Sequence, residues 1–174
     1  MRAPVRVILF MLQRVLAGLA CWLAALPVSA REVISYENAV EPGTIVVSTK
    51  ERRLYFVVEH RLAIRYRVAV GRPGKQWQGW THVSGKHVRP DWSPPDEVRR
   101  DNPRLPPVIP GGSPRNPMGS HAMTLAGGQY AIHGTNQPKS IGTFASYGCI
   151  RMYNEDMADL FQRVNVGASV IVTP

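Results

Sequence analysis

The chain of 174 residues has few cysteines, few acidic residues and no long apolar run. Cys21 and Cys149 are the only cysteines, so a framework of several disulfides is excluded. The longest apolar stretch, Val15 to Leu26, has about a dozen residues, fewer than the roughly 20 of a membrane-spanning helix. The 21 basic residues outnumber the 12 acidic ones, but they are scattered, with no basic helix and no basic segment interleaved with aromatics. A nucleic-acid partner is therefore not expected.

Residues 1–30 have the pattern of an export signal. Three arginines lie early, an apolar run follows, and the segment ends in the small residues Val28-Ser29-Ala30. We predict cleavage after Ala30, export to the periplasm or cell envelope, and contact with the membrane only through this segment before cleavage. The short apolar run disfavours an uncleaved anchor. Lipid attachment at Cys21 is disfavoured because Gly18 stands where an aliphatic residue is usual and because more apolar sequence follows.

Without residues 1–30 the chain would keep 144 residues, enough for one domain with one core. Its formal net charge would fall from +9 to +6, since the segment holds three arginines and no acidic residue. We divide the remainder into a lead-in, residues 31–42, and a domain, residues 43–174. A basic exported domain is expected to meet an anionic envelope rather than DNA.

Most of the domain reads as β-strand. Residues 62–71 alternate apolar side chains with other side chains, the period of a half-buried strand. Four further segments are strand candidates: GTIVVST, RLYFVVE, QYAIHG and ASVIVT. The sheet content is therefore predicted to be high.

One helix is predicted near the C terminus. Asn154 can cap it, Glu155 and Asp156 place negative charge in its first turn, and Gly167 ends it. Its apolar residues recur at helical spacing and are expected to face the core: Met157, Leu160, Phe161 and Val164.

Residues 93–117 contain eight prolines and the pair Gly111-Gly112, and no regular element fits them. Because prolines stiffen the segment, we predict an ordered loop beside a cleft. Trp77, Trp80 and Trp92 are expected to pack in the core or the cleft wall, with stacking on a sugar ring as the alternative.

Cys149 is the one cysteine outside the export segment, in a chain predicted to enter an oxidising compartment. It is either a small buried hydrophobe or a reactive thiol. His133 follows a strand-like run and precedes the cysteine by sixteen positions. An imidazole can take the proton of a thiol and later donate it to a leaving amine, so the pair favours nucleophilic catalysis.

Neighbouring residues support this interpretation. Gly134 lets the backbone pass close to the imidazole, where a carbonyl can orient the ring. Gly148 permits a tight turn, and the N–H groups of Gly148 and Cys149 are candidate oxyanion donors. Arg151 offers a forked set of donors suited to a carboxylate.

Other site classes are disfavoured by the pattern. His121 together with His133 could suggest zinc, but no third ligand lies at a recognisable spacing, so we predict no metal and no cofactor. In papain-type hydrolases the cysteine precedes its histidine, the reverse of the order found here. A thiol redox protein would need a second, resolving cysteine.

The motifs HGT (133–135) and SYGCIRM (146–152), with support from NPMG (116–119) and YNEDMADLF (153–161), resemble the catalytic domain of L,D-transpeptidases, the YkuD-like family of bacterial cell-wall enzymes. The resemblance covers roughly residues 43–174. It implies a mostly β fold, sandwich- or barrel-like, with one main α-helix near the C terminus. It also implies that Cys149 is the nucleophile and His133 the base.

In the implied reaction, Cys149 attacks the amide between the third residue of a peptidoglycan stem peptide and D-alanine, and an amine then takes the acyl group. The acceptor would be a second stem peptide, an envelope lipoprotein or a free D-amino acid. By the same resemblance we assign orienting or oxyanion roles to Gly134, Thr135, Tyr147 and Gly148. Substrate binding is assigned to Arg151, Asn116, Met118 and Tyr130.

One residue departs from the family pattern. Many members have histidine where this chain has Tyr147, so a mechanism that needs two histidines is in doubt, whereas the pairing of His133 with Cys149 is unaffected. Two alternatives stay open: an L,D-carboxypeptidase that uses the same site with water as acceptor, and a catalytically silent peptidoglycan-binding module.

Overall fold

A curled sheet of nine strands forms the body of the molecule. The structure is a computed structural model that describes residues 31–128 and 130–174, so the predicted export segment lies outside the described residues. Its strands are β1 (Arg31–Ser35), β2 (Ile45–Ser48), β3 (Arg53–Glu59), β4 (Leu62–Arg67), β5 (Val70–Gly71), β6 (Gly79–Val88), β7 (His121–Leu125), β8 (Ala131–His133), β9 (Phe144–Ser146), β10 (Ile150–Arg151) and β11 (Ser169–Thr173). The α-helices are α1 (Asp96–Asp101) and α2 (Asn154–Arg163), and a 3₁₀ turn spans Pro138–Ser140.

The strand order of the sheet is β1-β4-β3-β2-β11-β6-β7-β8-β10, and β5 pairs separately with β9. Within the large sheet two pairings are parallel, β11 with β2 and β10 with β8, and the others are antiparallel. The helix α2 packs on β7 and β8. The predicted mostly β fold with one main helix is confirmed.

Side-chain alternation along the strands separates a large inner core from a small outer cluster. On β2, Ile45 and Val47 are fully buried in the inner core, whereas Val46 belongs to the outer cluster. On β11, Val170 and Val172 face inward and Ile171 faces outward. Successive residues of a strand point to opposite faces, so β2 and β11 each contribute to both apolar layers.

The predicted strand over residues 62–71 is divided in the structure. It forms β4 and, after a break, the two-residue β5, and Val68, Ala69 and Val70 are all fully buried rather than alternating. The reason lies in the backbone: the N–H and C=O of Ala69 pair with those of Arg151, which takes this segment away from the β3–β4 ladder.

The prediction that residues 93–117 contain no regular element is wrong. They include α1, which begins directly after Pro94-Pro95, with Arg99 N–H donating to the Pro95 carbonyl. A proline costs nothing there because the first N–H groups of a helix have no partner within it. Acidic residues lie in the first turn and basic residues in the last turn, as the helix dipole favours.

Both predicted ends of the C-terminal helix are wrong. Asn154 is the first helical residue, Tyr153 takes the N-cap position and no side chain caps the helix. The helix ends at Arg163, and Gly167, with a φ of +90°, lies in the turn before β11. The predicted apolar stripe is buried at Met157, Leu160 and Val164, as expected.

The described residues contain no helix that is long and apolar enough to cross a membrane.

Candidate active site

The pairing of β10 with β8 brings the predicted catalytic residues together. The two strands run parallel, with Arg151 opposite His133 and Ile150 opposite Ile132. Both isoleucines are buried in the inner core, so His133 and Arg151 share the other face of the pair. Cys149, one residue before β10, lies on this side as well. Cys149 follows His133 by sixteen positions in the sequence, and the two-residue pairing of β10 with β8 brings the two residues to the same site.

A cavity of about 60 Å³ joins these side chains. Its inner wall is made by His133, Ser146, Tyr147, Cys149 and Arg151. Its outer wall is made by Pro95, Val98 and Pro117 of the proline-rich segment, with Trp92 and Met118 at the two ends of that segment. The predicted loop therefore borders the site.

His133 is oriented by the backbone. Its side chain is buried, and its Nδ1 lies 2.6 Å from the carbonyl oxygen of Gly134, which accepts a hydrogen bond when Nδ1 carries the proton. Burial, followed by the positive charge of Arg151, lowers the pKa of His133 to about 4, although the carbonyls of Gly134 and Pro117 act in the opposite direction. The imidazole is therefore neutral at neutral pH and can accept a proton.

Cys149 is partly accessible, and burial raises the pKa of its thiol. The backbone of Ala131 and the charge of Arg151 oppose this shift. With a raised thiol pKa and a lowered imidazole pKa, the resting pair is thiol and neutral imidazole rather than an ion pair. In such a pair the thiol could give its proton to His133 when the sulfur attacks a carbonyl carbon.

The backbone of Arg151 is fixed by strand pairing, whereas one nitrogen of its guanidinium makes no hydrogen bond within the described residues. Its backbone pairs with Ala69 in both directions at 2.9 Å. Its Nε is buried and has no hydrogen-bond partner among the described residues. A buried donor without a partner is costly, so this group is suited to an acceptor that arrives with a substrate.

The turn that carries Cys149 is fixed by contacts on both sides. Gly148 has a φ of +121°, and a Cβ at this position would lie 2.3 Å from the Tyr130 ring, so only glycine fits. The Tyr130 ring stacks on Trp77, whose Nε1 donates to the Gly148 carbonyl at 2.9 Å. Ser146 Oγ accepts from Gly148 N–H at 3.0 Å and donates to the Cys149 carbonyl.

Two predicted site residues, Gly148 and Tyr130, make contacts that differ from their predicted roles. The Gly148 N–H already donates to Ser146, so in this conformation it does not point at an oxyanion. Tyr130 packs behind the catalytic turn and does not line the cavity.

Asn154 takes a role that the sequence did not reveal. Its Oδ1 accepts from Ser120 N–H and Thr135 N–H, both at 3.1 Å, and its Nδ2 donates to the Thr135 carbonyl at 3.0 Å. A Cβ on Gly119 or on Gly134 would lie 2.2 Å from this Oδ1. The glycines of NPMG and HGT therefore leave room for one amide that locks both segments to α2.

Asn116 supports the proline-rich segment. It is buried, and its Nδ2 donates to the carbonyls of Pro90, Ile109 and Pro110 at 2.9 to 3.1 Å. Its Oδ1 accepts from Met118 N–H. The amide of Asn116 is thus engaged within the loop, whereas Met118 lines the cavity.

Tyr147 contacts the proline-rich segment directly. Its hydroxyl donates to Asp101 Oδ2 at 2.5 Å, and the guanidinium of Arg72 lies 3.9 Å from its ring centroid. Arg72 also pairs with Asp101 at 2.9 Å, and Lys75 pairs with Glu97. The end of α1 is therefore fastened to the turn that carries Cys149.

His121 lies outside the cavity. Its ring packs against Phe161 at 4.8 Å, and its Nδ1 lies 3.0 Å from Ser120 Oγ. Among residues 31–128 and 130–174, no three His, Cys, Asp or Glu side chains are grouped so as to hold a metal ion.

A family model described as the L,D-transpeptidase catalytic domain, YkuD, matches residues 42–172. The chain belongs to this family. It is 36% identical over 156 residues to "Probable L,D-transpeptidase ErfK/SrfK" of Escherichia coli K12, an alignment that covers 83% of this chain and 50% of that protein. It is 40% identical over 139 residues to "Probable L,D-transpeptidase YbiS" of the same organism, covering 76% of this chain and 45% of that protein. The chain thus spans about half the length of these relatives.

Solved L,D-transpeptidase structures share the fold. The Enterococcus faecium L,D-transpeptidase C442S mutant superposes with a TM-score of 0.61 at 18% identity, covering 77% of this chain and 50% of that chain. An L,D-transpeptidase from Mycobacterium smegmatis gives a TM-score of 0.60 at 17% identity, covering 75% and 58%.

The L,D-transpeptidase motifs of this chain thus fall into two spatial groups. Cys149, His133, Arg151, Tyr147 and Met118 line one cavity. The remaining predicted site residues hold the backbone around that cavity in place: Gly134, Thr135, Gly148, Asn116 and Tyr130. Ser146, which also lines the cavity, and Trp77 support the same backbone, and no periodic pattern in the sequence marks either residue.

Proposed function

We propose that the chain is a peptidoglycan L,D-transpeptidase that works through an acyl-enzyme on Cys149. The observation that carries the proposal is the shared cavity of a thiol, a neutral imidazole and an incompletely bonded arginine. Membership of the family and the relatives named L,D-transpeptidase support the reaction class. The predicted export signal fits a substrate in the cell envelope.

In the first half-reaction the Cys149 thiol gives its proton to His133 as the sulfur attacks the carbonyl carbon of the third stem residue. The tetrahedral intermediate collapses with cleavage of the C–N bond to D-alanine. The imidazolium returns the proton to the leaving amine, and a thioester remains on Cys149. The Gly134 carbonyl holds the imidazole ring in one orientation during both transfers.

Arg151 binds a carboxylate of the stem peptide in this proposal. Its buried Nε gains the acceptor that it lacks in the described residues, and a charged acceptor makes the strongest such bond. Because its charge also lowers the pKa of His133, one residue both binds the substrate and keeps the base neutral.

Substrate entry requires the proline-rich segment to move. A cavity of about 60 Å³ is small for a peptide amide with its flanking residues, since ligand pockets usually measure a few hundred Å³ or more. Pro95, Val98 and Pro117 of this segment line the cavity, together with Trp92 and Met118 at its two ends. We therefore assign it the role of a lid that opens before acylation and excludes water after it closes.

In the second half-reaction an amine gives a proton to His133 and attacks the thioester carbonyl. The C–S bond breaks, and the sulfur takes the proton back. A neighbouring stem peptide gives a crosslink, an envelope lipoprotein gives anchoring, and a D-amino acid gives exchange. Water in the same position gives an L,D-carboxypeptidase.

Incubation of the purified chain with tetrapeptide muropeptides, followed by mass spectrometry of the products, tests the proposal. Dimers or swapped terminal residues are expected in the presence of an amine acceptor. Tripeptides alone would identify the carboxypeptidase. Unchanged tetrapeptides, from a chain that still binds the substrate, would identify a silent binding module and contradict the proposal.

A further inference from the structure

We propose that the outer face of the sheet binds the sugar backbone of a cell-wall polysaccharide. A groove of about 620 Å³ lies on this face and shares no lining residue with the cavity of Cys149. We name it the aromatic groove, after its floor of Tyr55, Val46, Ile171 and Trp80. The identity of the polysaccharide rests on the proposed function, whereas the site itself rests on the geometry below.

The floor residues form one row across four neighbouring strands. Tyr55 on β3 is the direct partner of Val46 on β2, and Val46 is the partner of Ile171 on β11. Ile171 is in turn the partner of Trp80 on β6. Direct partners point to the same face, and three strand spacings separate the two aromatic ends by about 14 Å. The row is thus long enough for several sugar rings side by side.

The aromatic rings at the two ends are placed for stacking. Trp80 is 79% exposed, which contradicts the expectation that it packs in the core and leaves sugar stacking as the open alternative. At the other end Tyr55 stacks on Tyr36 with ring centroids 5.1 Å apart. An aromatic face carries partial negative charge and attracts the C–H groups on the flat side of a pyranose.

Hydroxyl and amide groups border the row. Ser48 and Thr173 are direct partners on β2 and β11, two residues beyond Val46 and Ile171, so they lie on the same face. Asn38 and Glu51 also line the groove. Sugar hydroxyls need such donors and acceptors beside the apolar stacking surface.

Charge and backbone pairing disfavour other occupants. Among the described residues no lysine or arginine lines the groove. The arginines of this face, Arg53 and Arg65, lie beside Tyr55 at one end, and Arg65 is paired with Glu32. A phosphate-bearing polymer would therefore find no cation along the row from Val46 to Trp80. An extended peptide gains affinity by pairing with a sheet edge, but β3, β2, β11 and β6 are all interior strands with both edges paired. A neutral chain that binds through ring faces and side-chain hydroxyls fits both restrictions.

The groove would hold the glycan strand while the cavity works on its stem peptide. Binding to the insoluble polymer would then raise the local concentration of stem peptides around Cys149. Soluble muropeptides would gain little from the groove.

The test is co-sedimentation of the full chain with cell-wall glycan from which all stem peptides have been removed. Wild type is expected to bind, and Trp80→Ala to bind at least tenfold more weakly. Val88→Ala, which changes another exposed residue of the same strand, is expected to bind as wild type does. Trp80→Leu keeps apolar bulk but loses the flat ring and is expected to behave as Trp80→Ala does.

Three results would overturn the proposal: wild type that does not sediment with the stripped glycan, Trp80 variants that bind equally well, or a change from dimer to monomer in the Trp80 variants. The last result would assign the groove to a second copy of the chain. Cys149→Ala is expected to bind the stripped glycan as wild type does. If Cys149→Ala binds the stripped glycan but wild type forms no acyl-enzyme, the proposed acyl transfer is contradicted and glycan binding by the aromatic groove is not.

Discussion

In the proposed mechanism Arg151 links substrate binding to the protonation of His133, because the two residues are direct partners across β8 and β10. We expect Arg151→Ala to raise KM for tetrapeptide substrates by about 10- to 100-fold, since a charge-assisted hydrogen bond is lost. The same change removes a cation that lowers the pKa of His133. The acid limb of the kcat/KM profile should therefore move to higher pH.

Arg65→Ala is the matched control for this change, because Arg65 on β4 pairs with Glu32 on β1 and does not line the cavity. It should leave both KM and the acid limb unchanged. An Arg151→Ala enzyme with a higher KM and an unmoved acid limb would separate the two roles and contradict the coupling.

At the residue scale, the sequence alone predicted the residues whose side chains are themselves reactive or charged. Cys149, His133 and Arg151 could be chosen because their side chains suit acyl transfer and because HGT and SYGCIRM resemble the motifs of a known family. Asn154 was predicted as a cap because asparagine favours that position, but its amide instead bonds to Ser120 and Thr135, which lie 34 and 19 positions away. Such contacts depend on the folded arrangement and leave no local pattern.

At the scale of elements, α1 and the turn before β10 are joined by Tyr147 and Asp101. Tyr147→Phe removes one hydrogen bond to a carboxylate and keeps the ring beneath Arg72. Loss of this bond should let the lid open more often. We expect Cys149 to react faster with a bulky thiol reagent.

Tyr55→Phe is the control, because the Tyr55 hydroxyl also donates to a carboxylate, that of Glu51, but on the outer face of the sheet. Its thiol should react at the wild-type rate. Asp101→Asn should resemble Tyr147→Phe. Equal reactivity of Cys149 in all four proteins would show that these contacts do not hold the lid.

Element boundaries were the least predictable part of the fold. The high strand content and the C-terminal helix were recovered from periodicity, yet β1, β6 and β7 were not predicted. The strand β6 contains Gly79, Ser84 and Gly85 and has one buried residue, Val83, so no apolar alternation marks it. The helix α1 has no buried residue and therefore lacks the apolar stripe by which helices are recognised.

For the whole molecule, two buried groups make stability depend on pH in opposite directions. His133 has a folded pKa of about 4 against roughly 6.5 in a model peptide, so its contribution is lost as pH falls from about 6.5 towards 4. In Asp156, burial and then Glu155 raise the pKa to about 6 from 3.8. The folded chain then binds more protons at Asp156, and its contribution is lost as pH rises through about 6.

Asp156→Asn should remove the second effect. Asp156 is buried, and its Oδ2 has no hydrogen-bond partner among the described residues. Between pH 4.5 and pH 8 the free energy of unfolding of the variant should gain about 2 kcal/mol relative to wild type. Urea unfolding at both pH values measures this, with Glu59→Gln, which changes an exposed carboxylate at the end of β3, as control. A constant difference between variant and wild type would contradict the assigned pKa.

The central claim is that the Cys149 sulfur carries the acyl group. Intact-mass spectrometry of the chain, quenched during turnover of a tetrapeptide muropeptide, tests it most directly. We predict an adduct equal to the muropeptide minus D-alanine, located on Cys149 by peptide mapping and absent from Cys149→Ala, which should form no product. Product formation by Cys149→Ala, or turnover by wild type with the adduct on another residue, would contradict the account.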